Sequence, residues 1–183
     1  GSIIIRVVLH ILQNDNGSNP ISNTALIVEK MQHLNEDFAP SGIEFEYSVN
    51  YVNSTAWRVL DESEISAMKE ATAIKPDSQL NVWVTTVAFN YSFATFPFDN
   101  RALSPQGGIV MGHFHWVGDG NSVFAHEVGH CLGLFHTFNG VDEVTKCGPC
   151  YEEVGAPDRD VLGDRCSDTE PAPTNAPCGT MSE

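Results

Sequence analysis

His126-Glu127-Val128-Gly129-His130-Cys131-Leu132-Gly133-Leu134-Phe135-His136 is the stretch from which the rest of the chain is read. Coiled as an α-helix, it puts His126 and His130 four residues apart on one face, a rise of roughly 6 Å. One metal ion can take both imidazoles at that separation. Glu127, beside His126, is placed to act as base toward a water activated at the same ion. Gly133 supplies the exit, because glycine accepts the left-handed conformation that stops a helix. The chain can then turn back to bring in His136 as third ligand. Three imidazoles leave a fourth position open, as a catalytic zinc site requires, whereas structural zinc sites are closed by four protein ligands. A histidine pair four apart arises by chance on many helices. The full pattern fixes three His, one Glu and one Gly, with a chance frequency on the order of 10⁻⁵ in such a chain.

Outward from this stretch, the chain supplies one domain's worth of core. Its 183 residues are 42% apolar and 18% charged, a globular composition. Ile3–Leu12 is a nearly continuous apolar run that suits a central strand. Ile21, Ala25, Val28, Met31, Leu34 and Phe38 recur at helical spacing before Pro40-Ser41-Gly42. Ile43, Phe45, Tyr47 and Val49 alternate with polar residues as in a half-buried strand. Asp61–Ala73 predicts a short helix and Gln79–Val87 a buried strand. Asn90–Gln106, with Phe93, Phe96 and Phe98, lacks a period and reads as a surface loop. Gly107–Trp116 reads as a strand leading through Gly118-Asp119-Gly120 into the histidine helix, with Asn121 or Ser122 as N-cap. His113 and His115 in that strand read as surface or core histidines. The order predicts an α/β (α+β) fold, a mixed twisted sheet with a backing helix and the zinc helix.

Charge and cysteines narrow the setting. The net charge of −15, with only 9 Lys+Arg, repels phosphate backbones, so nucleic acid is excluded as a partner. No apolar run is long enough for membrane insertion. Of five cysteines, Cys147, Cys150, Cys166 and Cys178 crowd a loop-rich region, which reads as disulfide stapling in an oxidising, extracellular compartment. Cys131, on the zinc helix, reads as a small core hydrophobe. Cys147-Gly148-Pro149-Cys150 has redox-motif spacing but no strand-then-helix context. Three N-glycosylation triplets, at Asn16, Asn53 and Asn90, decide nothing.

Two further segments join the zinc motif. His126–His136 continues as Thr137-Phe138-Asn139-Gly140, and later comes Gly163-Asp164-Arg165-Cys166-Ser167-Asp168-Thr169-Glu170-Pro171. Together with Gln79–Val87 and Gly107–Met111, they make the sequence resemble the pappalysin family of metzincin zinc endopeptidases. That resemblance implies a single catalytic domain over 1–183. Its N-terminal subdomain, 1–133, would hold the sheet and zinc helix, and 134–183 would begin a loop-rich C-terminal subdomain. It implies zinc on His126, His130 and His136, Glu127 as general base, and protein or peptide substrates. It implies that the strand before the zinc helix, Gly108-Ile109-Val110-Met111-Gly112, is an exposed edge along which substrate binds as an added strand. It implies structural calcium near Asp164, Asp168 and Thr169, in a region whose carboxylates suit a hard cation. It also suggests a Cys147–Cys178 disulfide, leaving Cys166 to pair with Cys150 or with a partner beyond this chain. The family's Met-turn is not matched by Met181, so the chain is expected to stop short of it. An inactive zinc-containing peptide-binding module, lacking a complete active-site floor, is therefore the alternative to a secreted endopeptidase.

Overall fold

The computed structural model describes residues 1–87, 91–118, 121–139, 161–166 and 169. It divides into two compact units, Gly1–Gly133 and Leu134–Glu183.

The first unit is built on β1, Ile3–Gln13, whose residues Val7 to Leu12 are all buried. A strand covered on both faces reads as a near-continuous apolar run, and the buried part of β1 does apart from His10. The backing helix α1, Thr24–Phe38, starts where Asn23 Oδ1 accepts the Leu26 N–H at 2.9 Å. Its buried face is Ile27, Lys30, Met31 and Leu34, while Val28 is exposed. Met31 and Leu34 thus lie on the buried face as expected, and Ile27 takes the place expected of Val28. Ile21 is buried ahead of the helix rather than in it. Gly42, with φ +70°, turns the chain into β2, Ile43–Asn53, parallel to β1 over its whole length.

Two short elements then escape periodicity: α2, Thr55–Arg58, and β3, Val59–Leu60. Asp61 and Glu64 form a capping box ahead of α3, Ile65–Thr72. Next come β4, Leu80–Val87; β5, Phe93–Ala94; β6, Ile109–Gly112; α4, His113–Val117; and α5, Asn121–Cys131. The sheet order is β2-β1-β4-β6-β5, with β3 paired to β4 off this path. β1, β2, β4 and β6 are parallel; β5 runs antiparallel to β6. The fold is thus the mixed α/β arrangement expected.

Two expectations are corrected here. The strand expected through Trp116 ends at Gly112, because α4 follows at once. Trp116 is buried, and its indole N–H donates to Ser22 Oγ at 2.8 Å, fastening α4 beside the start of α1. More consequentially, Gly108–Gly112 is no exposed edge. All four residues of β6 are buried, with β4 on one side and β5 on the other. The edge beside it is β5, within the segment expected to be loop.

His10, a polar residue mid-strand in β1, is fully buried. Asn50 Nδ2 donates to its Nδ1 at 3.0 Å, leaving Nε2–H to donate to Asn81 Oδ1 at 2.8 Å. The ring stacks on Trp83, centroids 4.9 Å apart. Burial lowers its pKa, so the ring stays neutral, with both nitrogens satisfied.

Candidate metal centre on the histidine helix

α5 carries His126 and His130 one turn apart, with Glu127 next to His126, and it closes as glycine allows. Leu132 N–H donates to Val128 O and Gly133 N–H to His130 O, both at 3.0 Å, and Gly133 has φ +101°. The inner face of the helix is anchored by Phe124 and Val128, both buried. Phe124 meets Trp116 edge-on with centroids 5.4 Å apart.

The two imidazoles converge. His126 Nε2 and His130 Nε2 lie 2.9 Å apart. Two zinc–nitrogen bonds of 2.0–2.1 Å at a tetrahedral angle would hold the nitrogens roughly 3.3 Å apart. The pair therefore suits a shared cation with little adjustment. Glu127 is 6% exposed, and its Oε2 is buried with no hydrogen-bond partner among the described residues. A buried carboxylate oxygen left unbonded is costly unless something else is meant to meet it. Burial alone pushes its carboxyl up to about 7. Such a carboxyl exchanges a proton near neutrality, which suits a general base, and a neighbouring cation would favour its charged form. The residues present fit a zinc ion on their chemistry and spacing.

His136 belongs to the second unit. It is half-buried there and stacked on Phe138, centroids 4.5 Å apart. In the same unit, Asp164 is buried and both its oxygens are engaged. Oδ1 accepts the Cys166 N–H at 3.0 Å and Oδ2 the Thr169 hydroxyl. Asp164 therefore works as a clasp of its own loop. Asp168, Cys147 and Cys178 lie outside the described residues. His113 and His115 are half-buried; Ser92 Oγ meets His115 Nδ1 at 2.9 Å and accepts the Gly112 N–H at 3.1 Å. Cys131 is half-buried, its thiol pushed up to about 12 by burial, in keeping with a packing role. It lines a cavity of about 600 Å³ with Ile4, Leu80, Pro97 and Leu103, whose wall includes neither His126 nor His130.

Sequence reasoning missed the surroundings of His130. Phe96 lies against it, ring centroids 5.0 Å apart, and Phe98 stacks on Phe96 at 5.0 Å. In sequence, Phe96-Pro97-Phe98 carries no period that would single it out.

The chain is similar in sequence to pappalysins and to extracellular metalloproteases, and its fold is that of solved mirolysin structures. Solved mirolysin structures share the fold at TM-score 0.63. One, mature mirolysin of Tannerella forsythia in complex with a cleaved peptide, is 22% identical over 89% of this chain and 73% of that one. In sequence, the chain is 41% identical to human pappalysin-1 over 88 residues, 47% of this chain and 5% of that protein. It is 33% identical to mouse pappalysin-1 over 63% of this chain and 7% of that protein. An extracellular metalloprotease of Verticillium alfalfae is 27% identical over 76% of this chain and 53% of its own length. The chain thus spans a small part of the pappalysins and about half of the fungal relative. No protein-family profile matches it.

Proposed function

We propose that the chain is the catalytic part of a secreted zinc endopeptidase that cleaves extended peptides through a metal-activated water. The observation that carries this reading is the convergence of His126 and His130 beside the buried, unbonded Oε2 of Glu127. His136 follows Gly133 by three residues, a span of at most about 10 Å, so the chain after the helix can deliver it as third ligand. Zinc, when bound, supplies a Lewis acid that lowers the pKa of a water and polarises a carbonyl.

The remaining work falls to the chain. Glu127 Oε2 takes the proton of the attacking water and returns it to the leaving amine. Substrate aligns along β5, the last strand of the sheet path among the described residues, as an added strand. This role passes from Gly108–Gly112 to Phe93–Ala94. Secretion is supported by the clustered cysteines and by relatives named as extracellular proteases. For calcium at Asp164, Asp168 and Thr169 there is no comparable support, since the Asp164 oxygens are already bonded within the loop.

The test is zinc content and cleavage of a mixed peptide library by the wild-type chain and by Glu127→Ala. We expect one zinc in each and a loss of turnover on the order of 10³-fold or more in the variant. Undiminished cleavage by Glu127→Ala would sink the assignment. Stoichiometric zinc with no cleavage by either protein would favour the peptide-binding module.

A further inference from the structure

The segment following β5 is built as a rigid corner. Thr95 N–H donates to Gly108 O at 3.1 Å, which carries the β5 ladder one residue further. The chain then turns: Asp99 N–H returns to Phe96 O at 3.1 Å, and Ala102 N–H to Asp99 O at 3.0 Å. Pro97 fixes its own φ inside this turn. The Asp99 carboxylate holds the Arg101 N–H and Nε at 2.9 Å each through Oδ1, and Nη2 at 2.6 Å through Oδ2. On this frame, Phe96 and Phe98 stack with their planes 18° apart. Phe96 in turn touches the ring of His130. Phe98, the outer member, is 65% exposed. A large aromatic ring, held out by an ordered turn one ring away from a candidate metal ligand, is not core packing. Its conformational entropy is already reduced, which favours a binding contact.

We propose that Phe98 is a specificity-determining residue, and that its exposed face takes an apolar substrate side chain on the amino side of the cleaved bond. The proposal rests on the peptidase reading above and deepens it. Its polarity follows from the edge strand. A peptide added antiparallel to β5, the stronger pairing, runs opposite to 93→98, so its amino-terminal part passes the Phe96–Phe98 corner. The chemistry is that of an open apolar platform. Leu, Met or Phe would gain contact area there, whereas Gly or Asp would gain none.

The experiment compares zinc-loaded wild type, Phe98→Ala and Phe98→Leu on peptides that differ only in having Leu or Gly at each position around the cleaved bond. For wild type we expect a Leu preference at one amino-side position. The Leu-to-Gly ratio of kcat/KM there should fall ~10-fold or more in Phe98→Ala and be largely kept in Phe98→Leu. An unchanged ratio in Phe98→Ala overturns the proposal, as does a change confined to positions on the carboxyl side. A lowered melting temperature with the same ratio also overturns it, marking a ring that the chain's own residues cover. A second arm needs no turnover. Calorimetry measures the same Leu and Gly peptides binding to Glu127→Ala, with and without Phe98→Ala. If wild type cleaves nothing, the peptidase reading fails and this arm decides alone: a Leu preference that requires Phe98 supports the platform, and equal affinities overturn it.

Discussion

Gly108 shows how a residue expected to meet substrate turns out to serve the sheet. Its φ is +80°, and a Cβ there would stand 2.2 Å from the Asn81 carbonyl oxygen. Glycine is required both for the left-handed backbone and for the close approach that lets β6 enter beside β4. Gly108→Ala should lose about 2–4 kcal/mol of stability from strain and overlap, read as a lower urea midpoint with an unchanged m-value. Lys69 shows the reverse, a charge that sequence would place in solvent. It is 2% exposed. Its Nζ donates to Gln106 O at 3.0 Å and lies 5.1 Å from the Trp83 ring and 5.5 Å from that of Phe93. Burial pulls its pKa down to about 8, assisted by the Arg101 charge and opposed by Cys131. Between that value and the ordinary lysine value of 10.5, the unfolded chain binds more protons at this group than the folded one, so its contribution to stability rises with pH across the window. From pH 8 to 10 this contribution is on the order of 2 kcal/mol. The Cys131 thiol, which burial holds protonated, opposes it above pH 9, so urea titrations should show it as the difference between wild type and Lys69→Met.

At the scale of elements, legibility followed the range of the interaction. α5 was readable because its His-Glu-x-x-His pattern fixes residue types one helical turn apart. β5 was not readable, since two residues have no period and only their pairing with β6 makes them a strand. For the same reason, the alternation in Gly107–Trp116 could not say that β6 would lie inside the sheet. Strand order is set by partners far off in sequence. The opposite edge shows a further device that no pattern announces. Asn35, on α1, reaches past the helix to β2: its Oδ1 accepts the Phe45 N–H at 2.7 Å and its Nδ2 donates to Phe45 O at 3.1 Å. A side-chain amide thus replaces a neighbouring strand and blunts an edge carrying exposed Tyr47, Val49 and Tyr51. Asn35→Ala should cost about 1–2 kcal/mol, and light scattering at raised concentration should show increased self-association.

For the molecule as a whole, charge is the property read most directly from composition. A net charge of −15 creates a field that draws in cationic chains and is screened over about 10 Å at 0.1 M salt. Raising salt from about 0.05 to 0.5 M should therefore lower kcat/KM several-fold for a Lys-rich peptide, and leave that for an uncharged peptide nearly constant. The fold class was legible because strands and helices alternate in the sequence. The surroundings of the candidate metal centre were not, because they depend on where the chain folds back after β4. The length of β5 carries one more consequence. An edge of two residues, Phe93 and Ala94, would offer a chain added there only a few main-chain bonds. Were substrate held as proposed, its products would share those few bonds and leave as easily as substrate arrives. The proposed turnover would then be set by the chemical step rather than by release.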